Sequence, residues 1–181
     1  MVIFLVNEKL KIFGITALAF LLLVSIVSAS QESNALVDKG IILVADHQYN
    51  EAIFNFNKAI SLDPQDARAY FWKGLSSIME DRWNEANVTL GDALLLDPNN
   101  SDYNAAKSDA LVGLGRYDEA ANYADKAVIL DPNNKFGWLS KGVVAEVKGD
   151  KTEAILDYNK ALSIDPNYAA AKNSLYKLEH P

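Results

Sequence analysis

The stretch Tyr117–Pro132, YDEAANYADKAVILDP, recurs with variation three more times in this chain of 181 residues. YNEAIFNFNKAISLDP runs from Tyr49 to Pro64, WNEANVTLGDALLLDP from Trp83 to Pro98, and KTEAILDYNKALSIDP from Lys151 to Pro166. The closing Asp-Pro pairs stand at 63–64, 97–98, 131–132 and 165–166, a constant step of 34 residues. A fixed period of this length marks a helix-turn-helix array, in which one unit cannot bury its apolar face alone and stacked neighbours form a continuous core. The fold class is therefore all-α, a solenoid of helix pairs.

Each unit divides into two helical halves. In the unit opening at Ala67 the first half is Ala67–Glu80 and the second Asn84–Leu96. The first halves carry a bulky residue at Leu36, Tyr70 or Trp138 and a small one four positions on, at Gly40, Gly74, Ser108 or Gly142. Residues four apart share a helical face, so a neighbouring helix can approach closely at the small residue. The second halves repeat a small-large-small stripe: Ala52/Phe56/Ala59, Ala86/Leu90/Ala93, Ala120/Ala124/Ala127 and Ala154/Tyr158/Ala161. Asn50, Asn84, Asp118 and Thr152 stand where these helices should begin and are the expected N-caps. Pro64, Pro98, Pro132 and Pro166 fall just beyond their ends, where a missing N–H and a ring clash stop the helix.

The order large-x-x-x-Gly, aromatic, Glu-Ala, aromatic, Ala-aliphatic, Asp-Pro resembles that of tetratricopeptide repeats (TPR), over Ser33 to about Pro166. The resemblance implies four units at 33–66, 67–100, 101–134 and 135–168, coiled into a right-handed superhelix. The third is the least typical, with Asn104 and Ala124 where bulk is expected and Tyr103 and Tyr123 one residue off. Lys39, Lys73, Lys107 and Lys141 occupy a position that is often Leu in the family, where only their aliphatic stems can pack. Residues 167–181 add one helix without a partner half, suited to cap the last apolar face with Tyr168, Leu175 and Leu178 inward and Lys172, Lys177 and Glu179 outward.

The resemblance also implies a concave groove lined by the first helices. The matching positions are Asn34, Val37, Ile41 and Val44; Arg68, Phe71, Leu75 and Ile78; Asp102, Ala105, Asp109 and Val112; and Phe136, Leu139, Val143 and Glu146. The TPR proteins that clamp a carboxy-terminal carboxylate use Lys and Asn at two of these positions. Here Val37/Ile41, Phe71/Leu75, Ala105/Asp109 and Leu139/Val143 stand in their place, so such a clamp is not expected. Two readings of this apolar lining remain: it packs between adjacent first helices, or it is an exposed groove for a helix or extended peptide. On the second, charging Leu75 and Leu139 is expected to abolish partner capture without loss of helicity.

Composition narrows the chemistry. The chain has no cysteine, so disulfides, zinc-thiolate sites and thiol catalysis are excluded. No phosphate loop, nucleophile elbow, HExxH or EF-hand pattern is present, and Glu51, Glu85, Glu119 and Glu153 recur with the repeat, as helix-start residues do. We expect no catalytic residue, no metal and no cofactor. The net charge of −7 lacks a basic stripe, which argues against nucleic acid and against an anionic membrane surface as partner of the repeats.

Residues 1–29 differ from the rest. Lys9 and Lys11 precede Ile12–Ala29, which is uncharged and mostly apolar, and Val27-Ser28-Ala29 has the spacing of a signal-peptidase site. Eighteen helical residues span ~27 Å, just short of a ~30 Å hydrocarbon core. A signal peptide or an N-terminal membrane anchor is expected, with membrane contact through this segment alone and the repeats extracytoplasmic. The functional expectation is a non-enzymatic scaffold that binds another protein. The alternatives are a self-associating, homo-oligomeric tether of an envelope assembly and an accessory subunit of an enzyme. Asn87-Val88-Thr89 and Asn99-Asn100-Ser101 also match the pattern for N-glycosylation.

Overall fold

The computed structural model describes the backbone of residues 2–180 and side chains from 23 onward, residue 26 excepted. Among these residues the chain forms α1 (Val2–Ala45), α2 (Tyr49–Leu62), α3 (Ala67–Met79), α4 (Trp83–Leu96), α5 (Ser101–Gly113), α6 (Tyr117–Leu130), α7 (Lys135–Val147), α8 (Lys151–Ile164) and α9 (Ala169–Glu179), with no strand. The pairs α1/α2, α3/α4, α5/α6 and α7/α8 pack tightly, and each pair packs on the next. The odd-numbered helices also touch one another along the series, whereas α2, α4, α6 and α8 do not. That asymmetry curves the stack and puts the odd-numbered helices on its inner side.

Each pair is locked by a notch. The first helix presents a glycine, and a large side chain sixteen residues later fills the space above it. A Cβ at Gly74 would lie 2.5 Å from Leu90 Cγ, and one at Gly142 would lie 2.5 Å from the Tyr158 ring. Gly40 meets the Phe56 ring in the same way. Phe56, Leu90 and Tyr158 are all fully buried. In the third unit both partners change together: Ser108 fills the notch and Ala124 gives up the bulk, and both are buried. Ala124 is thus the counterpart of Ser108 and not a gap.

Asn104 has a similar explanation. Tyr70 Oη donates to Pro64 O at 3.3 Å and Trp138 Nε1 to Pro132 O at 2.8 Å, tying each first helix to the preceding Asp-Pro turn. Asn104 Nδ2 donates to Pro98 O at 3.5 Å and to Asn100 O at 2.7 Å, so it keeps the donor and drops the ring. The displaced ring reappears as Tyr103, which is buried and stacks on Phe71 with centroids 4.8 Å apart.

The expected caps are corrected. The second helices begin at Tyr49, Trp83, Tyr117 and Lys151, so Asn50, Asn84, Asp118 and Thr152 lie one residue inside the first turn. The N-cap positions are Gln48, Arg82, Arg116 and Asp150, of which only Asp150 caps with its side chain. The reason is the turn before them. His47, Asp81, Gly115 and Gly149 have positive φ, and the next residue's N–H returns to a carbonyl five residues earlier, as in Gln48 N to Leu43 O at 2.8 Å. This left-handed closure satisfies the end of one helix and launches the next without a side-chain cap. Side-chain caps serve the other turn, where Asp66, Asn100 and Asn134 accept from the first N–H groups of α3, α5 and α7.

At the carboxy-terminal end α9 lays Leu175 and Leu178 against the cluster of Ala145, Ala154 and Tyr158, with Lys172, Lys177 and Glu179 exposed. At the other end α1 runs unbroken into the first repeat, and Val27-Ser28-Ala29 is helical. The signal peptide or anchor expected over 1–29 falls mostly on residues whose side chains lie outside the described set. Among the described residues no helix is long and apolar enough to cross a membrane.

The notch predicts a coupled mutant set. Gly74→Ala and Gly142→Ala should each cost about 1–3 kcal/mol in urea denaturation followed by circular dichroism. Ala124→Leu should destabilise the native chain but cost clearly less alongside Ser108→Gly, and purely additive effects would contradict the interlock.

Candidate functional site

The inner face is where the sequence points, and the structure divides the expected lining into three kinds of residue. Val37 and Ala105 are fully buried and belong to the core; Val37 packs with Ala52, Phe56, Ala59 and Ala69. Ile41, Val44, Phe71, Leu75, Ile78, Val112, Phe136, Leu139 and Val143 are half-buried. Asn34, Arg68, Asp102 and Glu146 are exposed. The half-buried set is bound into the packing between helices. Phe71, Leu75, Ile78 and Phe136 rest on Ala86, Leu90, Ala106 and Ala110, while Leu139 and Val143 join Leu175 and Leu178 of α9.

This arrangement bears on both readings of the lining. The large exposed hydrophobics of the repeats lie elsewhere, among them Leu95 and Ile129, and none of them is a lining residue. Charging Leu75 or Leu139 would therefore bury a carboxylate in an inter-helix seam and loosen the fold as well as any docking. The inner face is a half-buried apolar floor bordered by polar side chains.

Those polar groups are held by neighbours, in two cases from the adjoining unit. Arg68 Nη2 donates to Asn34 Oδ1 at 2.6 Å and pairs with Asp66 at 3.2 Å, which holds its guanidinium pKa above the usual value. Asn134 Nδ2 donates to Asp102 Oδ1 at 2.6 Å and to Ser101 Oγ at 2.7 Å. Tyr158 Oη, emerging from the core, donates to Glu146 Oε2 at 2.5 Å, and burial first, then this bond, raises the phenol pKa.

Asp109 is the outlier. It sits on α5, facing α7 at the closest approach of any two first helices, which is permitted by the buried small residues Ala105, Ala106, Ser108 and Ala110. Burial pushes its carboxyl up to about 7, and the facing Ser140 hydroxyl only partly offsets that. The two groups do not meet hydrogen-bond geometry, so Ser140 Oγ remains buried without a partner. A group at the floor of a concave surface is ringed by protein yet still reached by water, which is why Asp109 is half-buried and strongly shifted at once. Among the described residues no group of three or more His, Asp or Glu side chains could hold a metal ion.

With this geometry in view, the similarities fall into place. A family model described as tetratricopeptide repeat matches residues 105–169. The chain is a tetratricopeptide-repeat protein. A second model, for anaphase-promoting complex, cyclosome, subunit 3, matches residues 45–127, so the two overlap in the third repeat and leave out only the first helix of the TPR array. Comparison with curated proteins finds no significant match. Among solved structures, a thermophilic TPR protein of Thermus thermophilus is 20% identical with a TM-score of 0.76, over 81% of this chain and 80% of that one. PilF of Pseudomonas aeruginosa is 20% identical with a TM-score of 0.71, over 83% and 69%. The second TPR domain of human RPAP3, solved in complex with an HSP70 peptide, is 21% identical with a TM-score of 0.60, over 66% and 97%. At these identities the structures attest the TPR fold.

The sequence pattern placed Asp109 among the lining positions and gave no special role to Lys107 or to the main chain at Asn87, which matter below. Both sit at ordinary repeat positions, so nothing in the pattern sets them apart. Of the two glycosylation patterns, Asn87 has its amide oxygen buried beside the buried Thr89 on α4, and Asn99 is exposed in a connector.

Asp109 yields a pH test. Its folded pKa of about 7 exceeds the ordinary 3.8, so the stability of the protonated acid is complete below 3.8 and is lost as pH rises through about 7. Asp109→Asn should leave the melting temperature nearly unchanged at pH 4 and raise it at pH 8. At about 1.4 kcal/mol per pH unit the gain has an upper limit of roughly 4 kcal/mol. A stabilisation that does not vary with pH would contradict the assignment.

Proposed function

We propose that this TPR protein is a non-enzymatic interaction scaffold that works outside the cytoplasm and takes a peptide or helix of a partner protein along its inner face. The observation that carries this reading is Arg68, an exposed guanidinium held by Asn34 and Asp66 one helical turn from Phe71 of the Phe71–Tyr103 stack, on the face that carries Leu75. Such a surface suits a segment that offers an apolar anchor beside a carboxylate. The related fold of human RPAP3 was solved with a bound peptide, which supports peptide capture as the use of this face. The positions that hold a carboxylate clamp carry Val37, Ile41, Phe71 and Leu75 here, so the partner's acidic group meets Arg68 and not a Lys/Asn pair.

The extracytoplasmic location rests on Lys9 and Lys11 ahead of the uncharged Ile12–Ala29 run and on the small residues Val27-Ser28-Ala29. Self-association is a second reading, favoured by Leu95 and Ile129, which are 83% and 76% exposed at equivalent positions of α4 and α6. Light scattering of the full chain decides it, since a monomer removes the reading.

Arg68→Glu should reduce recovery of the partner from a native envelope extract by about tenfold, the scale of one lost charge-assisted hydrogen bond. The far-ultraviolet circular dichroism should be unchanged. Unaltered recovery would overturn the proposed face, and recovery of the repeats in a cytoplasmic fraction would overturn the location.

A further inference from the structure

The second site lies on the other side of the array. Because α4 and α6 do not touch, a cavity of about 520 Å³ opens between them, within the roughly 300–1,000 Å³ usual for small-ligand sites. The floor is Lys107 of α5, which is nine-tenths buried.

Its charge is uncompensated, unlike that of its equivalents in the second and fourth repeats. Lys73 pairs with Glu85 at 3.3 Å, and Lys141 pairs with Asp125 at 3.1 Å and Glu153 at 3.9 Å. The residue that should serve Lys107 is Glu119, but Arg116 takes it in a two-pronged pair, with both N–O distances at 2.7 Å. Lys107 Nζ turns instead to the main-chain carbonyl of Asn87 and lies 6.0 Å from the centre of the Tyr123 ring. Burial, and then the nearby Arg116, lower its pKa, and the more distant carboxylates of Asp92 and Glu119 only partly oppose this.

Three further features define what would fit. Lys126, also in the wall, donates to Pro98 O at 2.9 Å and, among the described residues, likewise has no carboxylate partner. Asn87 Oδ1 accepts no hydrogen bond but is buried beneath the wall, so polar contact to a ligand falls to the lysines. Val88, Leu94, Leu95 and Pro98 supply apolar wall, and Asp92, the one acidic lining residue, penalises a ligand of high negative charge.

We infer that this cavity binds a small apolar molecule with a free carboxylate. The carboxylate would meet Lys107, Lys126 would add positive charge from the wall, and the apolar body would lie on Leu94, Leu95 and the Tyr123 ring. A free amino acid is disfavoured because its ammonium would face two lysines. The same chemistry is offered by a small free acid or by the carboxy-terminal residue of a peptide.

Titration calorimetry of the full chain with N-acetylleucine and with N-acetylleucinamide tests the assignment. The acid should bind about tenfold to a hundredfold more tightly than the amide, the range expected for one charge-assisted contact. Equal binding of the two, or no binding of the acid at millimolar concentration, overturns it. Lys107→Met should erase the preference for acid over amide, while Lys73→Met keeps it. Asn87→Asp supplies Lys107 with an internal partner, so it should hold the fold and still abolish binding; retained binding in that variant overturns the site. A hexapeptide ending in leucine that binds at least as tightly as N-acetylleucine identifies a peptide terminus as the source, and a weaker one identifies a free small molecule.

Discussion

The whole array depends on how close two helices of a pair can come, and in three of the four units that distance is set by one missing Cβ. Gly40, Gly74 and Gly142 each lie under a side chain that could not otherwise be seated, and Phe56, Leu90 and Tyr158 are driven to full burial there. Tight packing of this kind gives little room for relaxation, so a single methyl group is felt. Once the pair is fixed, the Asp-Pro turn and its hydrogen bond from Tyr70, Asn104 or Trp138 set the start of the next first helix. Pair geometry and turn geometry together are enough to generate the curve, because each unit contacts only its neighbours.

Much of this was legible in the sequence. The Asp-Pro spacing and the glycine-plus-bulk pattern announce the helix pairs, since both are local consequences of helical geometry. The capping of the second helices was not legible. Asn50, Asn84, Asp118 and Thr152 are good capping residues by type, but a left-handed turn already satisfies the chain before they are reached. Gly115 and Gly149 hint at that turn, whereas His47 and Asp81 hide it. The third unit looked defective only because its substitutions were read singly; Ser108 and Ala124 make sense as a pair, as do Asn104 and Tyr103.

The candidate sites were less legible. Which lining residues face solvent depends on superhelical curvature, summed over several units, and no single helix pattern reports it. Phe71 and Leu75 are therefore in register with the inner face yet half-covered by the neighbouring unit. Lys107 is subtler still. Its periodic position matches that of Lys73 and Lys141, and its different state follows from a competition in which Arg116 takes Glu119. Only the folded arrangement shows which cation wins.

The left-handed turn residues carry a further meaning for how the array comes apart. Glycine occupies this conformation at little cost, while a residue with a Cβ pays roughly 1–2 kcal/mol, which His47 partly recovers through its 2.8 Å hydrogen bond to Tyr49. The two strained turns fall in the first half of the array and the two relaxed ones in the second. In a quasi-one-dimensional fold such local terms add along the chain, so the solenoid has a direction. Its carboxy-terminal pairs, closed by Gly115 and Gly149 and sealed by α9, form the persistent end from which the rest frays and on which it re-forms.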